Sequence, residues 1–159
     1  MKLSDYKKRP DVVKFIKEIG ERVPPYFTKD KVNITGDDPA EFTFNDDKGN
    51  VIKVLFHNLH AKKEKAYEVE YYVNGKGAQA FESSVKHLFE IISTVIEVIN
   101  AFLDGYGPDY IKIDGLDKID SEGQKNSMYK AYAKAFIKDN DYKMIDDGDG
   151  FIIRKLKTT

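Results

Sequence analysis

Residues 81–103 read FESSVKHLFEIISTVIEVINAFL. Val85, Leu88, Phe89, Ile92, Val95, Ile96, Ile99, Phe102 and Leu103 recur at helical spacing, and Ile91 and Val98 widen the apolar surface beyond one stripe. A helix apolar over so much of its circumference needs sheet on one side and flanking elements on the other. Glu82, Lys86, His87, Glu90 and Glu97 interrupt the segment and would be costly in lipid, so it reads as a core helix rather than a membrane span. Its stop falls near Gly105, Gly107 and Pro108.

Upstream, Phe42 and Phe44 alternate with polar neighbours, and Asp46-Asp47-Lys48-Gly49-Asn50 supplies a turn before Val51, Ile52, Val54, Leu55 and Phe56. The charged loop Ala61 to Lys65 leads to a third strand with Tyr67, Val69, Tyr71 and Val73 on one face, which completes a three-stranded meander. At the N-terminus, Asp11 caps a helix running to Gly20, and Val23-Pro24-Pro25 blocks its continuation. Residues 21–38 are expected to be a connection, with a short strand at Lys31 to Ile34.

Downstream, Tyr110, Ile111 and Ile113 predict a short strand. A polar loop, Asp114 to Gly123, precedes a helix containing Met128, Tyr129, Tyr132, Ala133, Phe136 and Ile137. Tyr142 to Ile145 and Phe151 to Arg154 form a closing hairpin around Asp146-Asp147-Gly148-Asp149-Gly150. The expected class is therefore α/β (α+β): a mixed, mostly antiparallel sheet flanked by helices, in the order α-βββ-α-β-α-ββ. The 159 residues fit one domain, 1–159, with 1–38 as a helical N-terminal segment and connection.

Composition narrows the chemistry. Cysteine is absent, which excludes disulfides, thiolate zinc sites and thiol catalysis and suits a reducing compartment. Twenty-six basic against 27 acidic residues give a net charge of -1, with no global field to draw nucleic acid or an anionic membrane. Residues 1–20 lack the continuous apolar stretch of a signal peptide, so export is not expected.

This element order resembles the core of the GNAT superfamily of N-acetyltransferases. In that family, an Arg/Gln-x-x-Gly-x-Gly/Ala connection presents backbone amides to the coenzyme A pyrophosphate. The corresponding stretch is Tyr72-Val73-Asn74-Gly75-Lys76-Gly77-Ala78, with Tyr72 in place of Arg/Gln. The resemblance implies Gly75, Lys76, Gly77 and Ala78 as cofactor-binding residues for acetyl-coenzyme A, and Tyr129 as the acid that protonates the departing thiolate.

Residues 67–155 also resemble a group of small tailed-bacteriophage proteins. The shared features are Gly75 and Gly77; Pro108-Asp109-Tyr110-Ile111; Met128-Tyr129 with Lys130 and Lys134; and Gly150-Phe151-Ile152-Ile153-Arg154. That likeness implies a structural or interaction protein without a cofactor, located in the virion or the host cytoplasm and partnered by other phage proteins.

Each candidate group also has a plainer reading. Tyr129, Tyr132 and Phe136 share helical spacing and read as core. Glu68 and Glu70 share the face opposite Tyr67, Val69 and Tyr71, which fits a solvated face better than a general base. His57 and His60, three residues apart, should face opposite sides of a regular strand and make a poor metal pair. The carboxylates of Asp114, Asp117, Asp120 and Glu122 break the order of a calcium loop. Lys7-Lys8-Arg9 and Lys62-Lys63-Lys65 are short enough for local phosphate contacts only.

Overall fold

The computed structural model describes residues 23–77, 85–113, 134–137, 139–148 and 150–157. Strands β1 (Ala40–Asn45), β2 (Val51–Asn58) and β3 (Ala66–Val73) form the expected meander, and a two-residue strand, β4 (Lys76–Gly77), follows. Helix α1 (Val85–Tyr106) then leads to β5 (Tyr110–Ile113), β6 (Tyr142–Asp147) and β7 (Gly150–Lys155). The chain is thus α+β. The expected N-terminal helix at 11–20 and most of the helix around Tyr129 lie outside the described residues, although 134–136 are helical.

One mixed sheet runs in the order β1-β2-β3-β5-β7-β6, with β4 beside β3. All pairings are antiparallel except β3–β5, where Ala66 to Val69 face Tyr110 to Ile113 in parallel. Parallel neighbours need a crossover, and α1 supplies it.

Alternation along the strands sends one set of side chains toward α1. Ile52, Val54 and Phe56 stand opposite Val73, Tyr71 and Val69, and Ile111 and Ile113 continue the row through Tyr67 and Val69 to Ile153 and Phe151. All of these are buried. Phe102 of α1 stacks on Phe56 with ring centroids 3.9 Å apart, meets Tyr67 edge-on at 4.9 Å and stacks on Tyr106 at 4.5 Å. Helix and sheet are therefore joined by an aromatic cluster as well as by aliphatic area. Glu68 and Glu70 lie on the opposite face, as their spacing predicted.

The helix is buried on its other side too: every residue from Ile91 to Asn100 is buried, including Ser93, Thr94, Glu97 and Asn100. Among the described residues, this accounts for a local expectation that fails. No strand forms at Lys31 to Ile34; a 3-10 turn spans Lys29–Lys31, and a single bridge joins Thr35 to Glu41. Amides upstream serve the helix instead: Tyr26 N–H donates to Thr94 Oγ1 (3.0 Å) and Lys29 N–H to Glu97 Oε1 (3.3 Å). Phe27 meanwhile packs edge-on against Phe42 and Phe44. The connection is a strap across α1, satisfying polar groups that burial would otherwise penalise.

Gly107 ends the helix. Its φ of +55° is left-handed, and its N–H reaches Leu103 O at 3.1 Å, the one-bond C-terminal cap that glycine adopts most readily. No described helix is long and apolar enough to cross a membrane.

Because Phe102 is fully buried between two rings, Phe102→Ala should destabilise the fold by about 4 kcal/mol. Leu59→Ala, at a position 37% exposed, should change stability by less than about 0.5 kcal/mol. Denaturant midpoints of the two variants measure the contrast.

Candidate functional site

The glycine-containing connection after β3 is a tight hairpin. Asn74 and Gly75 both have positive φ (52° and 79°), as the mirror-image two-residue turns require. Val73 therefore pairs with Lys76 and Tyr72 with Gly77. A Cβ on Gly75 would meet nothing within 4 Å, so its requirement is conformational, not steric. Since β2 occupies one edge of β3, both β4 and β5 lie along the other: β5 takes residues 66–69 and β4 takes 72–73. Lys76 and Gly77 are thus strand residues. Ala78 and Tyr129 lie outside the described residues.

From this turn a chain of side-chain hydrogen bonds runs to the start of α1. Asn74 Oδ1 accepts from Val51 N–H (2.9 Å), and Asn74 Nδ2 donates to Asn50 Oδ1 (2.8 Å). Asn50 Nδ2 donates to Asp46 Oδ2 (2.7 Å), while Asp46 Oδ1 accepts the amides of Lys48 (2.9 Å) and Asn50 (2.7 Å). His87 Nε2 lies 2.8 Å from Asp46 Oδ2 across a sequence separation of 41. The Asp46 side chain is fully buried and that of His87 is 2% exposed.

Burial pushes the Asp46 carboxyl up, but the hydrogen bonds from Asn50, His87 and the Lys48 amide outweigh it and hold it below the usual carboxylate range. As an ionised carboxylate it can only accept, so His87 Nε2 carries the donated proton.

Two further carboxylates face the other ring nitrogen. Asp47 Oδ1 is 3.7 Å and Glu90 Oε1 is 3.8 Å from His87 Nδ1. Tyr26 OH donates to Asp47 Oδ1 at 3.3 Å. The Tyr26 phenol is pushed far up, first by burial and then by the negative charges of Glu90, Asp47 and Asp46. Asp46, Asp47 and His87 each place a carboxylate oxygen or ring nitrogen within 4.8 Å of the others.

Sequence reading took Asp46 and Asp47 as turn formers and His87 as an interruption in an apolar run. The available signals were the i,i+3 placement of Glu90 after His87 and a turn rich in side-chain acceptors.

The other candidate groups are dispersed. His57 contacts Glu70, which also accepts from Tyr72 OH (2.7 Å), so the residue at the Arg/Gln position is engaged on the sheet face away from α1. His60 lies beyond the end of β2 with a positive φ of 53°, so strand alternation does not set its direction, and it pairs with Asp38 at 2.8 Å. Lys65 donates to Tyr106 O (2.6 Å) and lies 5.3 Å from the Tyr106 ring centroid, which ties the basic loop to the end of α1. Lys7-Lys8-Arg9 and Asp114 to Glu122 lie outside the described residues.

A concavity of about 760 Å³ is lined by Glu64, Asp109, Lys143, Arg154, Lys155, Leu156 and Lys157. Within it Arg154 pairs with Glu64 at 2.7 Å and covers the Tyr110 ring at 4.7 Å, so its charge is partly answered.

No protein-family model matches this sequence, and neither the curated proteins nor the solved structures contain a match to it.

Asp46→Ala should cost about 3 kcal/mol at neutral pH, because it leaves buried donors on Asn50 and His87 without their acceptor. The Asp46 pKa is lower folded than unfolded (about 3.9 unfolded), so its ionic contribution is present above about pH 4 and is lost as pH falls through the folded value. Denaturation curves of the two proteins should therefore converge in that acid window and separate again on return to neutrality.

Proposed function

We propose that this chain is a non-catalytic structural or interaction protein on a GNAT-like scaffold, associated with a tailed-bacteriophage virion or its assembly. Two features favour the scaffold. Three antiparallel strands precede a long helix, and that helix crosses to a strand lying parallel to the third. A hairpin then completes the sheet in the order β1-β2-β3-β5-β7-β6.

The observation that carries the non-catalytic reading is the Asn74-Gly75 hairpin. A coenzyme site of this family needs the connection after the third meander strand to present open amides at the helix entrance. Here that connection turns back at once, and Lys76 and Gly77 pair with β3. Asp46, Asp47 and Glu90 add negative charge around His87 in the first turns of α1, an unfavourable setting for a pyrophosphate. The runner-up, an acetyl-coenzyme A dependent N-acetyltransferase using Gly75, Lys76, Gly77, Ala78 and Tyr129, would require β4 to detach and its amides to face the ligand.

Calorimetric titration with acetyl-coenzyme A separates the two readings. No saturable binding is expected up to millimolar ligand; saturable binding weakened by Gly77→Glu would establish the enzyme reading instead. The assembly role predicts recovery with purified particles at a fixed stoichiometry. Confinement to the cytosol of infected cells would rule out a virion component.

A further inference from the structure

We propose that His87, Asp47 and Glu90 bind a divalent transition-metal ion such as Zn²⁺ at the start of α1, with Asp46 as the positioning residue behind His87. This goes beyond the assembly reading and does not depend on it.

The donor set is mixed, not merely acidic: one imidazole lies within 3.8 Å of each of two carboxylates from two separate elements. His87 and Glu90 share a face of α1 at i,i+3, and Asp47 reaches them from the β1–β2 turn. Two donors bound to one tetrahedral ion, each about 2.1 Å from it, lie roughly 3.4 Å apart. The separations from His87 Nδ1 to Asp47 and Glu90, 3.7 and 3.8 Å, exceed that by only a few tenths of an ångström. Asp47 is 58% exposed and Glu90 24%, so both can rotate inward while His87 stays fixed in the core.

The imidazole is already oriented for the task. A metal-bound histidine characteristically donates its other ring N–H to a carboxylate, which fixes the ring and its tautomer. Asp46 makes that contact through Nε2 and is itself held by Asn50 and the Lys48 amide. With both Asp46 oxygens committed in this way, Asp46 is a supporting group rather than a ligand.

Nitrogen among the ligands favours zinc-like ions over magnesium or calcium, which prefer all-oxygen shells.

The test is titration of Zn²⁺ into the chelator-treated full chain, followed by calorimetry and by ¹⁵N resonances of the histidine rings. One equivalent should bind, Mg²⁺ should compete poorly, and the His87 Nδ1 resonance should move while those of His57 and His60 stay in place. Asp47→Asn and Glu90→Gln, both at positions with solvent access, should keep the native circular dichroism and weaken binding at least tenfold. Asp46→Asn should weaken it by about 10–100-fold through loss of orientation. The proposal is overturned if no saturable single-equivalent binding occurs. It is also overturned if binding is unchanged in Asp47→Asn and Glu90→Gln, which would place the ion elsewhere, for example at His57 and Glu70.

Discussion

The need to bury α1 on nearly all sides governs the rest of the molecule. A helix in which ten consecutive residues are buried, 91 through 100, cannot be satisfied by a sheet that covers one face. The sheet takes the aromatic and aliphatic side through Phe56, Tyr67 and Phe102. The strap at 23–31 takes the side carrying Thr94 and Glu97 and offers backbone amides where those residues need donors. The irregular course of that strap is therefore imposed by the helix beneath it, and prolines at 24 and 25 suit it because neither has an amide to place.

This explains which parts were legible in sequence. Strands and α1 have strong periods, 2 and 3.6, because each presents a definite face to one core, so the meander, the long helix, the strand at Tyr110 and the closing hairpin could all be anticipated. The strap has no period of its own: Val32 and Ile34 look like a strand in sequence but pack as single residues against the core. The site was harder still. Asp46 and His87 are 41 residues apart, and nothing local in either segment signals the other. The glycine spacing after β3 was visible, yet spacing does not distinguish an open anion loop from a hairpin; Asn74, whose positive φ completes the two-residue turn, makes that difference.

The bond chain from Asn74 through Asn50 and Asp46 to His87 joins three separately formed pieces: the β3–β4 turn, the β1–β2 turn and the entrance of α1. Buried polar networks of this kind contribute geometric definition more than net stability, because every member must be oriented before the others are satisfied. Here that definition falls on the one helix terminus that the family resemblance makes interesting. The same network holds a buried imidazole whose Nδ1 faces the Asp47 and Glu90 carboxylates.

The parallel seam between β3 and β5 has a kinetic meaning as well. The two hairpin-built units on either side of it, β1–β2–β3 and β6–β7, close short loops and can form early, whereas Ala66 meets Tyr110 only after the chain between them has been drawn into α1. Among the described residues the seam consists of four register pairs with the Lys65 to Asp109 contacts at its margin. The two halves of the sheet therefore depend on the helix not only as a cover but as the tether that sets the effective concentration of one half at the edge of the other.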